Sequence, residues 1–360
     1  MKRLLFVLVF VLCALQSINA QEYRTYGRAR FQVLSSPESA NSYIVSEPGF
    51  YTLETVKGNS SESVGRVVSA AVLWESFGTS TTPRVGDLIK KVAYNNGYLY
   101  FQTADTFREG NAVIVASDAF GDILWSWHIW FTDKPQGQIY YNGAGTMMDR
   151  NLGATCAIPG DVGALGLFYQ WGRKDPFLGS SSISDEVFAK STISWPSAVP
   201  SSSRTGTISY TISNPTTFIS HGTDWYYGSV GDRRWTESIY DKSIYDPCPA
   251  GWRVPDGGED GIWSKACSLN SLFNCPFSSS TLGYNFSRTL GSATTIWYPI
   301  TGFLDDTDGN LLYVGAGGGC WSASPINNQA YFFCFNDDGE VNPSNDNSRA
   351  IGRSVRCIKE

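Results

Sequence analysis

Histidine is scarce in this 360-residue chain, which carries only His128 and His221. Nucleophilic hydrolysis by serine or cysteine needs a general base beside the nucleophile, so that chemistry has little to draw on. No G-x-S-x-G, P-loop or H-E-x-x-H motif occurs, and no Cys-x-x-Cys or Cys/His pair stands at metal-ligand spacing. Zinc and thioredoxin-like chemistry are therefore not expected, nor is any cofactor. Beyond residue 20 no apolar run approaches the roughly 20 residues of a membrane-crossing helix. Positive charge is also short, with no cluster of Lys and Arg to overcome an acidic surface that repels phosphate backbones, so nucleic acid is not an expected partner.

The first 20 residues read as a signal peptide: Lys2 and Arg3 precede the apolar run Leu4 to Leu15, and Ala20 offers a small residue for cleavage. Leu12 before Cys13 is too bulky for a lipid-anchor signal. Removal of this segment leaves 25 cationic against 33 anionic side chains, a formal charge of −8. Seven cysteines remain, and their odd number leaves at least one thiol unpaired even where export permits disulfides. Aromatic residues make up 14% of the chain and glycines number 36, a pairing that favours short strands and tight turns over long helices.

Residues 43–132 read as strand after strand. Val92–Tyr94 and Tyr98–Phe101 flank Asn95-Asn96-Gly97, whose residue types accept the positive φ of a hairpin turn. Ala112–Ala116 and Ile123–Phe131 form another pair, and a small antiparallel sandwich of immunoglobulin-like type is expected over residues 21–135. In ILWSWHIWF the alternation puts Trp125, Trp127, Ile129 and Phe131 on one face, as in a central packed strand, and His128 reads as a satisfied core histidine. Asp133 to Gly137 reads as a linker. Beyond it, residues 136–360 read as α+β: Leu165, Phe168 and Tyr169 share a helical spacing, Asp256 caps a helix through Ile262, Ala266 and Leu269, and four strands follow from Thr294 to Lys359. Residues 179–238 are rich in Ser, Thr, Gly and Tyr and read as an irregular insertion.

His221-Gly222-Thr223-Asp224 offers a base and an acid three residues apart, which specifies no geometry. Asp305 to Asn310 resembles part of a calcium loop without its terminal glutamate, and a strand-joining turn explains it. Trp225, Tyr226, Tyr227 and Trp235 in the insertion are candidate ligand-binding residues, because exposed rings stack on sugars or anchor a partner; the alternative is that they pin the insertion to the body. In YDPCPAGWRVP, Pro247 and Pro249 restrict the backbone around Cys248, which suits a staple better than a reactive thiol with Arg253 as its only local cation.

Six stretches occur in order: MMDRNLGA (147–154), GLFYQWGRKDPF (166–177), CPAGWRVP (248–255), CWSASP (320–325), QAYFF (329–333) and GRSVRC (352–357). Together they resemble the Fibrobacter succinogenes major paralogous domain (FISUMP) of Bacteroidota surface and fimbrillin-associated proteins, over about residues 140–360. The resemblance implies a C-type-lectin-like, non-catalytic domain closed by a disulfide between Cys248 and Cys357. It leaves Cys320 with Cys334, and Cys267 with Cys275, as conceivable pairs, stranding Cys156. The Glu-Pro-Asn calcium motif of sugar-binding lectins is missing, so no metal is expected. The function these readings imply is adhesion or binding to a glycan or a surface protein, outside the cell or at the outer membrane, with the periplasm as a further location. The alternatives are a carboxylate-dependent glycoside hydrolase, a thiol-based redox or formylglycine-type oxidase, and a structural component of a surface assembly.

Overall fold

The computed structural model describes residues 21–228, 234–238, 241–267, 277–286 and 296–360. The expected signal segment and Cys275 lie outside the described residues. The architecture is mostly β, with two α-helices of six residues each, Ile208–Ser213 and Ile262–Cys267, among the described residues. The expected α component of the second half is thus small.

The first half is a two-sheet sandwich. One sheet runs in the order Tyr23–Tyr26, Ala29–Val33, Phe50–Glu54, Tyr98–Thr103, Ile89–Asn95, and the other Ser42–Val45, Ile123–Phe131, Gly110–Ser117, Ser69–Ser76. Leu53, Leu99, Phe101, Ile114, Trp125 and Trp127 fill the space between them. The expected all-antiparallel pattern is broken twice, because Ala29–Val33 runs parallel to Phe50–Glu54 and Ser42–Val45 parallel to Ile123–Phe131. The Asn-Gly hairpin forms as read, with Asn96 at φ 45° and Gly97 at φ 82°.

In the second half the hairpin Gly317–Ile326 and Gln329–Asn336 carries Val341–Ser348 on one side and Gly352–Ser354 on the other. A four-stranded sheet ordered Gly137–Tyr140, Gly145–Met148, Ile358–Lys359, Trp252–Arg253 draws the start and finish of this half together. Beside it the Cys248–Cys357 disulfide forms, with Cα atoms 6.1 Å apart and both residues fully buried. The helix expected around Leu165–Tyr169 does not form. Gly166 lies at φ +79°, where a Cβ would meet the Leu152 carbonyl at 2.8 Å, and Phe168–Gln170 instead pairs with Gly352–Ser354. Cys320 and Cys334 do not meet either. Gly319 stands opposite Cys334 in the ladder, so the one-residue offset sends the two thiols to opposite faces.

One core crosses the expected linker. Trp74, Val113 and Trp130 from the first half pack with Met148, Trp171, Val254, Trp321, Phe332 and Val355 from the second. All six motif stretches contribute to this cluster. Polar contacts reinforce the junction: the Asn41 amide donates to the Ile244 and Asp246 carbonyls at 2.8 Å, and the Asn59 amide to the Ser243 carbonyl at 2.8 Å. The proline-flanked knot is held from within by the Asp246 carboxylate, which accepts from the Cys248 and Val254 amides at 2.8 and 2.9 Å.

Candidate functional site

The aromatic residues expected to meet ligand are mostly core. Trp225 and Trp235 are 0% exposed, which leaves no ring face for a sugar. Their indole N–H groups donate inward to the Trp171 carbonyl at 2.8 Å and the Arg173 carbonyl at 3.0 Å. Tyr226 is half-buried against Trp225, and Tyr227 is exposed and makes no ring contact among the described residues. These residues pin the insertion, as an irregular segment of that length requires.

The pin is electrostatic as well as apolar. The Arg234 guanidinium lies over Trp171 and Trp225, at 4.8 and 4.9 Å from their centroids, and Arg349 lies over Trp171 at 4.6 Å. The Asp224 carboxylate joins both arginines, bidentate to Arg234 and 3.1 Å from Arg349. It is therefore not the orienting acid of His221, whose exposed ring accepts from the Thr223 and Asp224 amides and closes a turn. Removing a carboxylate shared by two buried cations is costly. Asp224→Ala is expected to lower stability by about 3 kcal/mol, read from urea unfolding; a loss near zero would show that the carboxylate contributes nothing net.

Two further constellations look like catalytic relays and are sealed. Ser42, His128 and Asn111 form a chain with 2.9 Å hydrogen bonds on each side of the imidazole, and all three are almost wholly buried. The Asn111 amide donates to the Gly153 carbonyl, so its Oδ1 faces His128 Nε2; this assigns the ring proton to Nε2 and makes Nδ1 the acceptor from Ser42. Burial drives the His128 pKa down to about 3. Ser126, Lys174 and Asp175 make a second buried cluster, in which the Lys174 ammonium donates to the Asp175 carboxylate at 2.8 Å and sits 4.6 Å from the Trp125 centroid. Neither group meets solvent.

An open concavity lies elsewhere along the insertion. A cleft of about 590 Å³ runs between residues 188–198 and the turn 308–310. Trp195, Phe188 and Phe218 supply its aromatic surface, with Phe177 beneath. One lip is fixed by the sandwich: the Thr192 amide donates to the Glu75 carbonyl at 3.0 Å, the Ser76 hydroxyl to the Lys190 carbonyl at 2.6 Å, and Trp195 packs on Trp74 at 5.6 Å. This contact also covers the last residues, Trp74 to Ser76, of the edge strand Ser69–Ser76. The other lip is the acidic turn, which is a turn as expected. Asp305 accepts from the Thr307 amide and Asp308 from the Asn310 amide, while Gly309 at φ +73° presses on Phe218, where a Cβ would lie 3.0 Å from the ring.

The Ser194, Ser197 and Thr216 hydroxyls on the cleft have no hydrogen-bond partner among the described residues, and Lys190 is exposed without an ion pair. Among the described residues Asp308 is the one carboxylate lining it. Among the described residues no group of three His, Cys, Asp or Glu is placed to hold a metal ion. Trp195 was legible only as part of the insertion, because ISWPSAVP carries no periodicity that would mark a binding ring. No family model, curated protein or solved structure matches the chain.

Proposed function

We propose that this chain is an exported, non-catalytic binding protein that holds a short glycan in the cleft at Trp195. The observation that carries the reading is the combination in one open concavity of aromatic faces with unpaired hydroxyls, the Lys190 ammonium and the Asn310 amide, which Asp308 holds in place. Sugar rings present apolar faces for stacking and hydroxyls for hydrogen bonding, and clefts of this size suit small ligands. Glycosidic hydrolysis calls for two carboxyl groups across the bond, and the described residues of the lining offer one, which favours binding over hydrolysis. In this reading the sandwich is an immunoglobulin-like module and the second half a C-type-lectin-like domain of FISUMP type, displayed at a Bacteroidota cell surface for adhesion.

The test is a glycan array followed by calorimetry on the best binder. Trp195→Ala is expected to weaken binding by about tenfold or more, or ~1.4 kcal/mol. Asn310→Ala, at an exposed turn position whose side-chain amide donates to Asp308 alone among the described residues, is expected to weaken it while leaving the melting temperature in place. Absence of any wild-type glycan signal, or unchanged affinity in both variants, would remove the cleft as the site.

A further inference from the structure

The cleft at Trp195 divides into an apolar floor and a polar mouth, and that division, on the reading of the cleft as a glycan site, narrows the class of sugar. Phe177, Leu178, Phe218 and Leu304 form the floor, and each is only 2–5% exposed. Their side chains carry no polar atom, and the Phe177 and Phe218 carbonyls already accept from the Phe168 and Val199 amides at 2.9 Å. A sugar hydroxyl turned toward this floor would lose its water and find no partner, whereas a methyl group gains by burial there. Trp195 adds to the apolar surface. Its indole N–H donates to Ser191 Oγ at 3.0 Å, so the ring is held in place and presents carbon to the ligand.

The mouth is of opposite character. Ser194, Ser197 and Asn310 are exposed there, with Thr216 half-buried. Asn310 is oriented by its neighbour: its backbone N–H and its side-chain Nδ2 donate to the two carboxylate oxygens of Asp308, at 2.8 and 2.6 Å. The reversed amide would set oxygen against oxygen, so Oδ1 is the atom left over. It is an acceptor without a hydrogen bond among the described residues, and it stands near hydroxyls that can donate. Charge is balanced as well. Lys190 and Asp308 give the described lining one cation and one anion, and Asp308 is already engaged by Asn310, which suits an uncharged ligand.

We infer that the cleft selects sugars that carry an acetamido group. The acetyl methyl rests on the Phe177–Phe218 floor, the amide N–H donates to Asn310 Oδ1, the amide carbonyl accepts from the serine and threonine hydroxyls, and the pyranose face lies on Trp195. One planar substituent thus answers floor and mouth together. A plain hexose has neither the methyl nor the N–H, and a deoxy sugar such as fucose has the methyl alone.

The experiment titrates the full chain with triacetylchitotriose and cellotriose, trimers that differ only in an acetamido group or a hydroxyl on each ring. Saturation-transfer NMR on N-acetylglucosamine, N-acetylgalactosamine, glucose, galactose and fucose runs beside it. Triacetylchitotriose is expected to bind about tenfold tighter than cellotriose, as one buried methyl and one hydrogen bond imply, and the acetyl methyl is expected to take up the strongest saturation. Asn310→Ala should weaken triacetylchitotriose about fivefold and leave cellotriose and the melting temperature unchanged. Binding by either acetamido epimer supports the assignment and tells a gluco- from a galacto-configured source. Cellotriose binding as tightly as triacetylchitotriose, fucose preferred to both acetamido sugars, or unchanged triacetylchitotriose affinity in Asn310→Ala would overturn the assignment and leave the cleft a glycan site. Wild type that binds none of these sugars overturns it too; a positive glycan array would then keep the broader reading, and a blank one would end both.

Discussion

Cys248→Ser is expected to unfold about 4 to 5 kcal/mol more easily than the wild type, the largest effect of any single replacement considered. The disulfide closes a loop spanning 109 residues, and the chain-entropy relation assigns a cross-link of that length roughly this stabilisation through the denatured state. Nothing near the knot takes over. The Asp246 carboxylate would still hold the Cys248 and Val254 amides, and the core around Val254 and Val355 would still pack. Those contacts fix local shape, whereas the covalent link removes freedom from the unfolded chain. Three measurements follow from one bond: Cys248→Ser, Cys357→Ser and the double variant should share one denaturation midpoint, because the second replacement has nothing left to break. Wild type in reductant should move to the same midpoint. Additive losses, or a midpoint indifferent to reductant, would mean that the two sulfurs are not joined in the folded protein.

That staple was legible from its backbone chemistry, while its partner came only from the resemblance, and the difference is instructive. Proline on each side of a cysteine is a local signal; contact between residues far apart in sequence is not. The same distinction runs through the molecule. Alternation and an Asn-Gly turn sufficed to place Tyr98–Thr103 against Ile89–Asn95, since both strands and their turn lie in one short stretch. Val341–Ser348, reading VNPSNDNS, gave no strand signal: it lies at a sheet edge, where one side of the ladder is free and Pro343 and asparagines are tolerated. The helix expected at Leu165–Tyr169 had a fair local pattern and lost to pairing with Gly352–Ser354, which no local window contains. For the ligand-binding candidates the error was one of burial. Trp225 and Trp235 sit in a polar, glycine-rich segment that reads as surface, yet each indole fills core and finds a carbonyl there. Trp195, flanked by Ser194 and Pro196, carries no stronger sequence signal than they do; only the docking of its segment on Trp74 and Glu75 sets it at the cleft.

Acidification separates two buried groups whose effects oppose each other. His128 is held neutral in the folded state, with its pKa depressed by burial from 6.5 to about 3. Below pH 6.5 the unfolded chain takes up a proton that the folded chain refuses, so stability falls as pH drops through the window from 6.5 to about 3. The slope reaches about 1.4 kcal/mol per pH unit, with an upper bound of about 5 kcal/mol over the whole window. Asp246 acts in the opposite sense. Burial raises its pKa from 3.8 to about 6, so between those values the folded state keeps a proton that the unfolded chain has lost, and acidification stabilises. Glu75, raised by burial despite accepting three backbone N–H bonds, adds to that side. Between about pH 6 and 4 the terms offset, and wild-type stability should be nearly flat before it drops below pH 4. His128→Gln removes one term and leaves the others. The variant is expected to be less stable than wild type at pH 7, where hydrogen bonds to Ser42 and Asn111 are disturbed, and to gain on the wild type by about 1.4 kcal/mol for each unit of acidification from pH 6.5. Urea unfolding at pH 7, 6, 5 and 4 reads the gap directly. A gap that stays constant across the series would show that His128 titrates alike in both states, and the sealed Ser42–His128–Asn111 chain would then not be the neutral strut that its geometry describes.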